Sequence, residues 1–170
     1  IRLGMVQPAL TLGMDVHSNV ESLSFVVNQS GAEIPIVFIQ HPITKFPIPL
    51  PVPDVSLANP PLGLIPPMPK SVKLMKETAK LSPIAALGKG LAAAAVSSAD
   101  AVTGDGSLDV LRYGHVLKAR QLVGVRGAGL SFDGLYYVKK VSSKLKAGEF
   151  KQSFSLARNG LISTLPLVPA

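Results

Sequence analysis

Cysteine is absent from the 170 residues, which removes disulfide staples, thiolate zinc sites and thiol nucleophiles together and leaves the redox compartment open. Acids are scarce: ten Asp and Glu stand against seventeen Lys and Arg, for a formal charge of +7. A glycosidase needs two carboxylates at a set separation, and no pair among the ten is marked out. Asp105, Asp109 and Asp133 sit beside glycine or at expected strand ends, where turn hydrogen bonding accounts for them. Aromatic residues are only 5% of the chain, few for the stacking platforms of a single-strand nucleic-acid binder. No stretch reaches the roughly 18 to 20 uninterrupted apolar residues of a membrane-spanning helix, so no span is expected. The chain starts Ile1-Arg2-Leu3-Gly4 without methionine, basic leader or signal-like core, which reads as a fragment of something longer.

Hydrophobic residues make up 47% and charged residues 16%, the opposite of a disordered composition. The length suits one core or two small ones. Basic character is concentrated late: residues 1–103 carry seven Lys and Arg against six acids, or +1, and residues 104–170 carry ten against four, or +6. A nucleic-acid-binding barrel would use such a surplus and lose affinity steeply with salt. Lys139, Lys140, Lys144, Lys146 and Lys151 are instead scattered along strands, as expected of solvated strand faces, and no specific nucleic-acid partner is expected.

Five zones follow from the patterning. Residues 1–41 alternate in polarity, with Leu23, Phe25 and Val27 on one strand face, a turn at Ser30-Gly31, and a second run from Ile34 to Ile39. Residues 42–82 form a proline-rich arm and connector; positions 42–69 hold ten of the fifteen prolines, predicting an extended segment unpaired on one edge. Its Phe46, Ile48, Leu50 and Val52 are too apolar for a solvated linker and are the candidate assembly contacts. Residues 83–103 predict an Ala-rich helix, capped by Ser82 with Pro83 at its first position and running to about 102. Residues 104–160 return to period two, with strands expected at about 107–112, 119–126, 134–143 and 149–158. Residues 161–170 form a tail. The fold class is mainly β with a helical insertion, its antiparallel strands closing a barrel.

Catalytic chemistry finds no foothold. His17, His41 and His115 lie in different zones without metal-ligand spacing. A serine with His115 and Asp109 or Asp133 lacks a nucleophile elbow. The cluster Gly124-Val125-Arg126-Gly127-Ala128-Gly129 lacks the Lys-Ser/Thr ending of a phosphate loop and reads as a hairpin loop. The chain is expected not to be an enzyme, with no cofactor and no metal.

One ordered pattern remains. Leu108-Asp109-Val110-Leu111-Arg112-Tyr113-Gly114 is followed by Leu122-Val123-Gly124-Val125-Arg126-Gly127-Ala128-Gly129, by Phe132-Asp133-Gly134-Leu135-Tyr136-Tyr137-Val138, and by Phe150-x-x-x-Phe154-x-x-x-Arg158. This succession resembles the C-terminal part of the phage late control protein D family, baseplate hub relatives of the VgrG N-terminal region. The resemblance covers about a third of the chain. It implies a tail-tube or hub type of barrel in a homotrimer, two barrels per protomer, joining a hexameric tail tube to a trimeric spike. The partners would be tail-tube protein, spike protein and other baseplate proteins, at the baseplate of a virion or injection particle assembled in the bacterial cytoplasm. Tyr136 and Tyr137 point to opposite strand faces, so one can anchor the core while the other meets a neighbour; Phe150, Phe154 and Leu156 are the candidate core-packing residues. A complete hub is much longer than this chain, and no first barrel or fused spike is evident. The alternative is a domain attached to a cell-wall hydrolase of the tail.

Overall fold

Alternating polarity dominates the chain, and the strands it forms divide between two units. The computed structural model describes residues 5–13, 15–28, 33–41, 43–52, 62–65, 70–75, 78 and 80–164. In chain order the elements are β1 (Val6–Thr11), β2 (Val20–Val27), β3 (Glu33–Gln40), β4 (Pro47–Pro51), β5 (Gly63–Ile65), β6 (Ser71–Met75), α1 (Pro83–Ser98), β7 (Val102–Asp109), α2 (Val110–Tyr113), β8 (Leu122–Arg126), β9 (Gly134–Lys146), β10 (Glu149–Arg158) and β11 (Leu161–Ser163). The first unit comprises Ile1–Asn28, Ala58–Pro66 and Asp100–Ala170; the second comprises Gln29–Leu57 and Pro67–Ala99. The Ser30-Gly31 turn, Pro53 and the 165–170 part of the tail fall outside the described residues.

The first unit is built on a six-stranded sheet in the order β1-β8-β9-β10-β7-β2. Its concave side holds Leu10, Val20, Val102, Leu108, Val123, Val125, Tyr136, Val138, Phe154 and Leu156, all buried, with Val110, Tyr113 and Leu117 closing the core. Each large apolar side chain so buried contributes about 1.5 to 3 kcal/mol. The register of this sheet shifts at three places, one of them on β1 between Gln7 and Leu10; the other two are bulges on β9 and β2. On β9, Leu156 faces Val138 but Ser155 faces Lys140, so Lys139 is the extra residue; Tyr136 and Val138 point inward before it and Val141 after it. On β2, Val20 faces Leu108 and Ser22 faces Ser107, which makes Glu21 the extra residue.

The expected closed antiparallel barrel is not what forms. The sheet is mixed and curls into a half-barrel, because β1 runs parallel to β8 and β1 and β2 meet only at one corner, where Asn19 N–H donates to the Thr11 carbonyl at 3.1 Å. The strand expected at 107–112 stops at Asp109, whose carboxylate accepts from Leu111 N–H and starts the single turn of α2. β11 pairs with β5 in a separate two-stranded ladder.

In the second unit β3 is central, antiparallel to β4 and parallel to β6. The prolines of β4 sit at alternate positions, and Val52 N–H donates to the Pro35 carbonyl at 3.0 Å. By strand alternation the N–H groups of Ile48 and Leu50 also face β3, so Pro47, Pro49 and Pro51 turn their missing donors to the outer edge and prevent a further strand from pairing there. Ser82 caps α1 by accepting from Ala85 N–H, and the helix ends at Ser98, short of the expected 102. Its buried Ala86 and Ala94 and Gly90 let it approach closely. A Cβ on Gly90 would lie 2.8 Å from a Val52 methyl and 2.9 Å from a Val37 methyl.

Candidate functional site

The sheet of the first unit ends in two very different edges. On β1, the Asn19 side chain accepts from Thr11 N–H at 2.7 Å and donates to the Ala9 carbonyl at 2.9 Å, so one side chain takes up two of the groups that a further strand would use. On β2, no strand among the described residues lies beyond its pairing with β7. A second open stretch lies within the sheet, because β8 pairs with β9 only between Gly134 and Tyr137, with Arg120 and Gln121 continuing the contact to Val138. Among the described residues, β9 from Lys140 to Lys146 pairs only with β10. The hairpin projects past its neighbour and ends at the Ala147-Gly148 turn. Unpaired strand edges are templates for further strands.

The convex face of the same sheet is small and polar. Ser22, Ser107, Ser153 and Ser142 stand in register across β2, β7, β10 and β9, and the Ser22 and Ser107 hydroxyls are 2.8 Å apart. The neighbouring row is Ser24, Asp105, Ser155 and Lys140. Lys151 bridges Glu21 at 2.9 Å and Glu149 at 3.1 Å, and hydrogen bonding to these two carboxylates raises its pKa. Lys139 pairs with Asp100 at 2.6 Å. This face answers the expectation of solvated lysines on strands. Such exposed pairs contribute little to stability, because solvent and salt screen them.

Under the concave face lies the most demanding polar arrangement. Arg158 is fully buried, and its guanidinium donates to the carbonyls of Gly160 at 2.8 Å, Asp133 at 2.9 Å and Ser131 at 2.6 Å. It also lies 4.5 Å over the Tyr136 ring, which packs on Phe25, itself stacked on Phe132 at 5.1 Å. Burial lowers the Arg158 pKa, while Tyr136 and Asp133 oppose that shift. Gln152, also buried, accepts from Leu117 N–H and donates to the Leu117 carbonyl and the Ser143 hydroxyl, pinning the segment between α2 and β8. Arg158 and Gln152 share strand parity with Phe154 and Leu156. Strand alternation is thus the signal that marks both as core-facing, whereas the Phe150-x-x-x-Phe154-x-x-x-Arg158 pattern alone assigns Arg158 no environment.

Tyr113 and Tyr136 are buried, with their hydroxyls donating to the carbonyls of Pro8 at 2.6 Å and Phe132 at 2.7 Å. Burial pushes both pKa values up to about 12. Because each phenol is harder to ionise in the fold than in the unfolded chain, the stabilisation is complete below pH 10 and is lost as pH rises from 10 towards 12. Urea midpoints should fall across that window, and less steeply in Tyr113→Phe and Tyr136→Phe; equal slopes would contradict the assignment.

The residues singled out in the sequence separate by burial. Tyr136, Phe154 and Leu156 lie in the core, with Phe150 half-buried against it. Tyr137, on the opposite strand face, is half-buried. Val52 is buried beside Gly90 and Val37 within the second unit, whereas Phe46, Ile48 and Leu50 are exposed. Among the described residues, no three His, Asp or Glu side chains gather where a metal ion could bind.

No family model and no curated protein matches the chain. Solved structures do. The chain is similar to the 43 kDa tail protein of prophage MuSo2 from Shewanella oneidensis, with a TM-score of 0.55 and 13% identity over 89% of this chain and 44% of that one. It is similar in the same measure to the tail protein of Neisseria meningitidis MC58, with a TM-score of 0.57 and 13% identity, again over 89% and 44%. A chain of the native gene transfer agent virion aligns over 98% of this chain and 34% of its own, at 15% identity and a TM-score of 0.39, too low to bear on the fold. At these identities the likeness is one of fold, and this chain spans less than half the length of the two tail proteins.

Proposed function

We propose that the chain is a structural, non-enzymatic part of a phage-type tail, acting in the baseplate hub of a phage or a related contractile injection particle. The supporting observation is the fold it shares, over 89% of its length, with two tail proteins. In this reading it assembles as a homotrimer that joins a hexameric tail tube to a trimeric spike, contacting tube, spike and other baseplate proteins after assembly in the bacterial cytoplasm.

The strand edges supply a means of assembly. β2 runs antiparallel to β9, since successive neighbours from β9 through β10 and β7 to β2 are all antiparallel. If copies stand side by side in one orientation, the open edge of β2 in one meets the open Lys140–Lys146 stretch of β9 in the next with the correct polarity and the same face outward. Such a head-to-tail contact forms a ring when its rotation closes. Ile48 and Leu50 on the proline arm, together with Tyr137, are the side chains assigned to contacts between copies.

The test is the native mass of the chain by multi-angle light scattering, alone and mixed with tube and spike proteins. A trimer that caps tube protein is expected, and a persistent monomer that engages neither would overturn the reading. Ile48→Ser with Leu50→Ser should reduce the trimer fraction. These substitutions are preferable to deleting the arm, which would also remove buried Val52 from the second unit.

A further inference from the structure

The two open edges of the first unit's sheet match residue by residue. On β2, Leu23 and Phe25 pack against the core, and Ser22, Ser24 and Val26 occupy the opposite face. Asn28 N–H donates to the Ala101 carbonyl at 2.9 Å where β2 leaves β7. By strand alternation the backbone groups of Ser22, Ser24 and Val26 also face β7, and those of Leu23, Phe25 and Val27 point to the open edge. On β9, core-facing Val138 directs its backbone to the β8 side, its N–H donating to the Gln121 carbonyl at 2.9 Å and its carbonyl accepting from Arg120 N–H at 2.8 Å. Residues on one face of a strand send their backbone groups to the same side. Val141, Ser143 and Leu145 stand in register with core-facing Phe154, Gln152 and Phe150, so their N–H and carbonyl groups point to that same side, beyond the end of β8. The regular part of β2 runs over 22–27, from the Glu21 bulge to the strand's end, and that of β9 over 141–146 stops at the Ala147-Gly148 turn.

We infer that β2 of one copy pairs with β9 of the next in a single register, with Leu23 opposite Leu145, Phe25 opposite Ser143 and Val27 opposite Val141. The inference rests on the proposed assembly of identical copies and fixes the pairing within it. In this antiparallel register all three outward-facing residues of each strand are engaged, each pair exchanging two main-chain hydrogen bonds. A shift of two residues sets one of the three against the Glu21 bulge or the Ala147-Gly148 turn, and a shift of one sets the core face of one strand against the polar face of the other. The chosen register brings the bulge and the turn together, so that both interruptions fall at the same end. Leu145, 76% exposed, gains Leu23 as its cross-strand neighbour, a favourable apolar pair. Charge agrees with this occupant. β2 carries Glu21 and no cation, whereas 140–146 carry Lys140, Lys144 and Lys146 and no acid. Opposite Ser22, Lys146 lies next to Glu21 of the neighbouring copy, where unlike charges attract.

The experiment is disulfide cross-linking of the full chain, which has no cysteine of its own. Val26 is 61% exposed and Ser142 is exposed, so Val26→Cys with Ser142→Cys leaves the core intact. Across the inferred contact these two positions form a non-hydrogen-bonded pair about 4.5 Å apart between Cα atoms, within the reach of a disulfide. Within one copy β10 and β7 lie between them, a separation of at least about 14 Å, so the bond can form only between copies. Mild oxidation should convert the double variant to covalent dimers and trimers on non-reducing gels, reversed by a reductant, and several-fold faster than Ser24→Cys with Ser142→Cys. Faster bonding of the Ser24 pair would overturn the register. A trimer by light scattering that neither pair cross-links would overturn the edge contact while leaving the homotrimer standing, and a monomer that neither pair cross-links would overturn both.

Discussion

Arg158→Met is expected to destabilise the first unit by about 3 to 5 kcal/mol, since each hydrogen bond to a charged group contributes about 1.5 to 3 kcal/mol and three are lost. The replacement keeps the apolar stem but leaves the carbonyls of Gly160, Asp133 and Ser131 without the guanidinium that now binds them, and the carbonyl of buried Gly160 costs about 1 to 3 kcal/mol if left unpaired. It also removes the cation from the Tyr136 ring. Arg158→Lys should recover little, since a single ammonium cannot reproduce the planar fork that reaches three acceptors in different directions. Urea denaturation followed by near-ultraviolet circular dichroism would measure both. A loss below about 1 kcal/mol for the methionine variant would mean that water takes over all three carbonyls, that of buried Gly160 included, and would overturn this role of Arg158.

Gly134→Ala should be nearly as damaging, by about 3 kcal/mol, from two causes that add. Gly134 begins β9 at φ 125°, a backbone conformation that costs a residue with a Cβ about 1 to 3 kcal/mol. The new methyl would also collide with the Ser163 side chain on β11, and overpacking of this kind costs about 1 to 3 kcal/mol. The two contributions can be separated by adding Ser163→Gly to Gly134→Ala. Relief of the collision should recover part of the loss and leave the backbone strain, which appears as a coupling energy in the double-mutant cycle. Strict additivity of the two substitutions would place the whole cost in the backbone.

Both sites show how far residue pattern could be followed. The parity of Phe150, Phe154 and Arg158 puts the arginine on the core face, and the Phe132-Asp133-Gly134 turn was legible as turn chemistry. Which carbonyls receive the guanidinium was not legible, since Gly160 is local but Asp133 and Ser131 lie 25 and 27 residues away along the chain. The Ser82 cap, the β10 span and the inward run of Leu23, Phe25 and Val27 follow from local rules of capping and alternation. The bulges at Glu21 and Lys139 interrupt that alternation without any mark of their own in composition.

The sequence by itself determined the period-two character of most of the chain, the start of the helix, and a proline segment able to pair on one side only, because these depend on backbone donors, dihedral preferences and side-chain parity within a few residues. Only the tertiary structure decided that β1 lies parallel to β8, that Asn19 covers part of one edge of the sheet while no described strand lies beyond β2, and that the curled sheet falls short of a barrel. Those outcomes depend on pairing between segments more than a hundred residues apart in the case of β1 and β8. Alternation defines a strand's two faces but leaves its neighbour and direction undetermined.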